Sequence, residues 1–164
     1  AISSELSSKR NLLGGNIDYV RLMNDKARDI GLMQTFFLNE SGLDLNTDLS
    51  GAYGSAKDVS TLFDFAIKSA PDIFGTTKFN SITIKSADGF PLSAPNTNQT
   101  VSRIPGIVAS KTGLTDLAGG NLAVAFDVDQ VNRIIIVVLG STQEGRFTDV
   151  EKLSKSVLTY YSSI

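Results

Sequence analysis

Gly106-Ile107-Val108-Ala109-Ser110-Lys111-Thr112-Gly113-Leu114-Thr115 is the stretch on which the reading of this chain turns. An apolar run, Ile107 to Ala109, leads into Lys-Thr-Gly, and a glycine corner follows at Gly119-Gly120. A strand that ends in a cation, a hydroxyl and a glycine is suited to holding an anionic group at a sheet edge. Lys111 offers a point charge, Thr112 a hydroxyl donor, and Gly113 lacks the Cβ that would keep another backbone at a distance. The tripeptide alone is common, so its weight depends on what surrounds it.

Downstream, the pattern predicts two further strands, at about 121–128 and 131–140, after a first at about 107–113. Asp127 to Asn132 is a polar turn, so the last two should form an antiparallel hairpin. Ile134 to Leu139 is continuously apolar, which predicts burial on both faces. Phe147, Val150, Leu153, Val157, Leu158 and Tyr161 then mark a C-terminal helix.

Upstream, Phe90 to Ile104 reads as a polar loop centred on Asn96-Thr97-Asn98. Phe79 to Lys85 alternates as a strand would, and Asp88-Gly89 is a turn signal. A helix opens at Ser55-Ala56-Lys57-Asp58 with a capping-box-like start and carries Val59, Leu62, Phe63, Ala66 and Ile67 on one face. Residues 31 to 54 form a long connection, a length that calls for packing or function. Before it, Ile17, Val20, Met23, Ala27 and Ile30 recur at helical spacing, with Asn16 as N-cap and Gly31 as the stop. Ser7 to Gly15 is a polar break, and Ala1 to Leu6 reads like the end of a helix, as though the chain began inside a larger fold. The order predicts one α+β layer over residues 1–164, with helices packed on an antiparallel sheet.

Composition narrows the chemistry. The chain has 164 residues, 41% hydrophobic and 20% charged, as a soluble globular domain has. A net charge of −2 leaves no basic footprint for nucleic acid. With no cysteine and no histidine, a thiolate nucleophile, a Ser-His-Asp triad and the usual zinc sites are all ruled out. Nucleophilic chemistry would need Ser or Thr activated by Lys or a carboxylate. Ser110 adjoins Lys111, but neighbouring strand residues point to opposite faces, and Ser102 has no evident base. Both serines read as structural or solvated. Asn39-Glu40-Ser41 and Asn98-Gln99-Thr100 match a glycosylation acceptor pattern that chance explains equally well.

Taken together, the segments resemble the serine D-alanyl-D-alanine carboxypeptidases, low-molecular-mass penicillin-binding proteins of the β-lactamase and transpeptidase-like fold, a group defined partly by Lys-Thr-Gly. Val20 to Ala27 followed by Leu32 to Thr35, Asn39-Glu40-Ser41-Gly42-Leu43-Asp44, Ser55 to Ile67, Asn96-Thr97-Asn98, Gly106 to Thr115, Ala118-Gly119 and Val137 to Ser141 match that family in order. Glu40 stands where proline is usual. Two motifs of the family are not found: no lysine has a serine three residues before it, and no asparagine has a serine or tyrosine two before it. The chain is therefore similar to the C-terminal part of such an enzyme, an incomplete domain lacking Ser-x-x-Lys and Ser-x-Asn.

The resemblance implies a division of labour. Lys111 and Thr112 would hold the terminal carboxylate of a peptidoglycan stem peptide or a β-lactam. The Leu114 N–H would be one oxyanion donor, and Gly113 and Thr115 would line the same groove. No catalytic nucleophile is expected in this chain, no metal or organic cofactor is implied, and the chain alone is expected to be inactive. Its expected partners are an N-terminal segment of the same protein or a second copy meeting an open sheet edge. The implied location is extracytoplasmic, on the cell-wall side of a bacterial membrane. The alternative is a non-catalytic module that binds peptidoglycan or a partner protein on the same fold.

Overall fold

The computed structural model describes residues 18–163, which divide into two compact units. Asn16 and the expected break and helix end before it lie outside the described residues.

The first unit takes the chain up to Leu62, together with Thr115–Leu117. Helix α1 spans Tyr19–Asp29, and Asp18 caps it by accepting from the Arg21 N–H at 3.2 Å. Lys26 and Arg28 in the last turn face the negative end of the helix dipole. Gly31 stops the helix as its position predicts. At φ +81° it lets its own N–H reach Arg28 O and the Leu32 N–H reach Ala27 O, the paired bonds of a Schellman ending. Buried Asn24 then ties α1 to strand β1 (Phe36–Phe37), donating to the Phe37 carbonyl and accepting from its N–H, both at 2.8 Å.

The long connection from 31 to 54 is packed rather than loose. Strand β1 pairs antiparallel with β2 (Ala52–Tyr53), and Asn39 folds the tip by accepting from the Ser41 and Gly42 N–H groups. That use also consumes the first glycosylation-like asparagine. Helix α2 (Ala56–Ser69) begins here and ends in the second unit. Ser55 Oγ accepts from the Asp58 N–H at 3.2 Å, so half of the expected capping box forms. The other half does not. Buried Asp58 turns its carboxylate instead to the Gln34 N–H and the Thr35 hydroxyl.

The second unit runs from Phe63 to Leu114 and from Ala118 onward. Phe63 meets Phe74 of the short helix α3 (Pro71–Phe74) edge-on, with ring centroids 6.0 Å apart. Strand β3 (Ser81–Lys85) pairs antiparallel with β4 (Pro91–Pro95), from Ser81↔Pro95 to Lys85↔Pro91. The segment read as a loop from Phe90 to Ile104 therefore contains a strand. A proline at each end does not prevent the pairing, because in a two-stranded ribbon each strand has a free edge, where a missing N–H costs little.

The main sheet has the order β5-β6-β7, formed by Ile107–Thr115, Gly119–Asp127 and Arg133–Ser141. Strands β6 and β7 make the expected antiparallel hairpin. Leu122, Val124, Phe126 and Ile136 from one sheet face, with Phe147 and Val150 of helix α4 (Gly145–Tyr161), form the core around which Ile134, Val138, Val157 and Leu158 pack. The apolar run of β7 is less covered than expected: Ile136 is buried, but its neighbours are half-buried and Leu139 is 39% exposed. Among the described residues it stands at the end of the strand order, with β6 as its one hydrogen-bonded neighbour.

Candidate functional site

Strand β5 changes character halfway along. Ala109 and Ser110 are buried, and Ser110 is fully engaged: its N–H donates to Thr77 Oγ1 at 2.9 Å and its hydroxyl to the Thr77 carbonyl at 3.1 Å. It has no proton acceptor arranged as a base, in keeping with a structural part. Beyond it, Lys111, Gly113 and Leu114 are exposed and Thr112 is half-buried. One strand thus supplies both an anchor and an open face.

Four of the five candidate residues lie together in the second unit. The Lys111 ammonium donates to the neighbouring Thr112 carbonyl, and among the described residues no carboxylate pairs with it. Its charge is therefore available to an anion. Thr112 Oγ1 lies 2.7 Å from Thr97 Oγ1. A Cβ built on Gly113 would meet only the Asn121 Cβ, at 3.6 Å, an ordinary contact. Among the described residues no backbone makes the close approach that the missing Cβ allows.

The fifth residue has a different attachment. Thr115 belongs to the first unit, where its hydroxyl donates to Asp44 Oδ1 at 3.0 Å, and the Leu117 N–H donates to Asp44 Oδ2 at 3.0 Å. Ser50 adds a third donor at 3.1 Å. The Leu117 N–H above all, with Thr115, Ser50 and the Asp116 N–H, holds the Asp44 carboxyl below the ordinary aspartate range, against a smaller opposing effect of burial. Thr115 is thus committed to a carboxylate of its own chain.

Two contributors were not legible in the sequence as site residues. Arg146, in the first turn of α4, is only 7% exposed and donates from Nη1 to the Gly113 carbonyl at 2.7 Å. The Gly113 carbonyl and the Leu114 N–H belong to one trans peptide group, so fixing the first aims the second to the opposite side of the strand. Arg146 also lies over the Phe147 ring at 4.7 Å, and its buried Nε has no partner. Asn121 works beside it, accepting from the Gly140 N–H at 3.0 Å and donating to the Gly119 carbonyl at 2.9 Å. A charged residue just before a core phenylalanine normally reads as surface, so nothing in the helix pattern singles out Arg146. Asn98, the other glycosylation-like asparagine, is 3% exposed and accepts from the Thr100 N–H and hydroxyl.

An α+β layer with Lys-Thr-Gly on the open half of a sheet strand defines a class, the serine transpeptidase and penicillin-binding proteins. Within it, this chain belongs to the D-alanyl-D-alanine carboxypeptidase family, peptidase S11, whose model matches residues 9–143. It is 32% identical over 142 residues to the D-alanyl-D-alanine carboxypeptidase DacC of Escherichia coli (strain K12), covering 85% of this chain and 33% of that protein. It is 27% identical over 150 residues to DacF of Bacillus subtilis (strain 168), covering 92% and 37%. Among solved structures, penicillin-binding protein D2 from Listeria monocytogenes in its cefotaxime-bound form aligns with a TM-score of 0.71 and 31% identity, over 84% of this chain and 54% of that one. The same protein is also known in an ampicillin-bound form. The chain spans about a third of the length of the curated relatives it matches and just over half of that solved chain.

Proposed function

We propose that this chain is the substrate-holding part of a D-alanyl-D-alanine carboxypeptidase. Lys111 and Thr112 grip the terminal carboxylate of a peptidoglycan stem peptide, or the carboxylate of a β-lactam. The space beside Gly113 admits the ligand backbone, and the Leu114 N–H, aimed by Arg146, donates to the oxyanion of the reacting carbonyl. Thr115 acts from outside this grip, by fixing the end of β5 through Asp44. The observation that carries the reading is the Lys111 ammonium, exposed and without a carboxylate partner among the described residues, next to the half-buried Thr112 hydroxyl.

The attacking serine and its lysine base come from elsewhere. Ser110 is consumed by Thr77, and no serine of the chain stands three residues before a lysine. The chain alone is therefore expected to bind and not to hydrolyse. Two surfaces suit a completing partner, either an N-terminal segment of the same protein or a second copy. One is the half-covered strand β7 in the second unit. The other, in the first unit, is an apolar groove along α1 lined by Tyr19, Leu22, Met23, Leu32, Phe37 and Leu62. Action on stem peptides places the whole protein outside the cytoplasm. No helix among the described residues is long and apolar enough to cross a membrane.

The test is intact-mass measurement of the chain after incubation with a penicillin, paired with an NMR titration using an N-acylated D-alanyl-D-alanine. An unchanged mass together with shifts at Thr112, Gly113 and Leu114 is expected. A stoichiometric adduct would overturn the inactivity, and shifts confined to other residues would overturn the site.

A further inference from the structure

We propose that Thr97 is a positioning residue that makes this site selective for a free carboxylate. Its hydroxyl donates to Thr112 Oγ1, which leaves the Thr112 proton for the ligand. The inference rests on the carboxylate reading given above and adds to it a residue, a proton direction and a ligand preference.

A threonine hydroxyl has one proton to give and can accept two hydrogen bonds. The two Oγ1 atoms are 2.7 Å apart, so one of the two protons lies between them. If Thr112 supplied it, Thr112 would turn lone pairs toward a ligand beside the Lys111 ammonium and would repel a carboxylate. If Thr97 supplies it, Thr112 donates outward. The chain Thr97 O–H to Thr112 O–H to carboxylate then runs in one direction, and each link polarises the next. A carboxylate has only acceptors and selects this direction. A terminal carboxamide is neutral and offers one acceptor oxygen beside donors of its own, so it gains less from it.

The contact is built, not incidental. Thr97 stands between two asparagines that are both held in place. Asn96 Nδ2 donates to the Thr77 carbonyl at 2.8 Å and the Phe79 carbonyl at 2.9 Å, and its Oδ1 accepts from the Asn98 N–H at 2.9 Å. Buried Asn98 accepts from Thr100 twice. The Thr77 carbonyl that receives Asn96 also receives the Ser110 hydroxyl of β5. One carbonyl therefore pins the Thr97 loop and the strand that carries Thr112. This gives buried Ser110 its function as well: it sets the spacing of the two hydroxyls.

The test is an NMR titration of the chain with N-acetyl-D-alanyl-D-alanine and with the C-terminal amide of the same peptide, in the unaltered protein, Thr97→Val, Thr97→Ser, Thr112→Val and the double variant Thr97→Val/Thr112→Val. The unaltered chain should prefer the acid. Thr97→Val should lose about three- to tenfold in acid affinity, the scale of one hydrogen bond to a charged group, with a smaller loss for the amide. Thr97→Ser should restore it, and Thr97→Val should add nothing in the Thr112→Val background. Acid affinity unchanged in Thr97→Val, no rescue by serine, or a loss that persists without the Thr112 hydroxyl would each overturn the relay. Equal binding of acid and amide by the unaltered chain would overturn the carboxylate reading itself, and the relay with it, before any variant is compared.

Discussion

Gly113 and Gly120 sit on neighbouring strands of one sheet, yet a methyl group added to each would meet different surroundings. At Gly120 the new Cβ would stand 2.1 Å from the Thr142 carbonyl oxygen, a backbone atom that cannot swing aside, and Gly119 before it is held at φ +65°. At Gly113 the nearest atom would be the Asn121 Cβ at 3.6 Å. The first glycine is required by the fold, because two backbones meet there. The second is not required by anything that the described residues pack against it. A strand glycine without a packing reason among the described residues, next to a lysine that no described carboxylate pairs and a half-buried hydroxyl, is where the proposed ligand backbone would lie.

The comparison breaks most readily at Gly120. Gly120→Ala should force the β6 backbone away from the turn before α4 and cost about 3 kcal/mol, lowering Tm by about 6–12 °C in a chain of this size. A thermal melt checks it, and an unchanged Tm would mean that the close approach is not a constraint. Next in size is Arg146→Met, which removes the charged donor of the Gly113 carbonyl and should cost about 1.5 kcal/mol, or about 3–6 °C in Tm. The Leu114 amide signal should move as well, since it reports the same peptide group. A variant that melts at or above the unaltered protein would mean that desolvating the guanidinium, with its unpartnered Nε, outweighs the bond it makes.

A third expectation turns on the segment that leaves β5 in the first unit. Asp44 has a lowered folded pKa, chiefly because the Leu117 N–H donates to it. A group of this kind binds its proton more weakly folded than unfolded. Its stabilising contribution is therefore complete above the ordinary aspartate value of about 4 and is lost as pH falls through the lower folded value. The Leu117 amide shift followed against pH should show a midpoint below about 4, absent in Asp44→Asn. A midpoint at or above that value would remove the claim that Asp44 is a charged anchor for Thr115 and Leu117.

Much of the scaffold was legible because short-range chemistry fixed it. Gly31 ends α1, Ser55 caps α2, Asp127 to Asn132 turns β6 into β7, and α4 follows its apolar spacing. The failures came where long-range partners decide. Strand β4 carries proline at both ends and exists because β3 lies beside it. Asp58 looks like a capping partner of Ser55, but Gln34 and Thr35 claim its carboxylate from 24 and 23 residues away. The site divides in the same manner. Lys111 to Leu114 are contiguous and could be named from the motif, whereas Arg146 reaches Gly113 across 33 residues and Thr97 meets Thr112 across 15. No local pattern encodes either meeting. Thr115 follows Leu114 in the motif, and its hydroxyl donates to Asp44 across 71 residues.

The smallest expected change in stability is also the sharpest test of the opening contrast. Gly113→Ala places a methyl group in ordinary contact with Asn121 and removes the backbone entropy that a strand glycine loses on folding, so stability should stay level or rise slightly, by about 0.5 kcal/mol or less. The same methyl group enters the space proposed for the ligand backbone, so affinity for an N-acylated D-alanyl-D-alanine should fall by about tenfold or more, the scale of one poorly accommodated methyl group. Stability and binding are thus expected to move independently, as they would not if Gly113 served the fold in the way Gly120 does. A parallel fall in both would make the two glycines alike and close the space as a binding feature. Stable protein with undiminished binding would leave Lys111 and Thr112 as the grip and put the ligand backbone on another side of the strand.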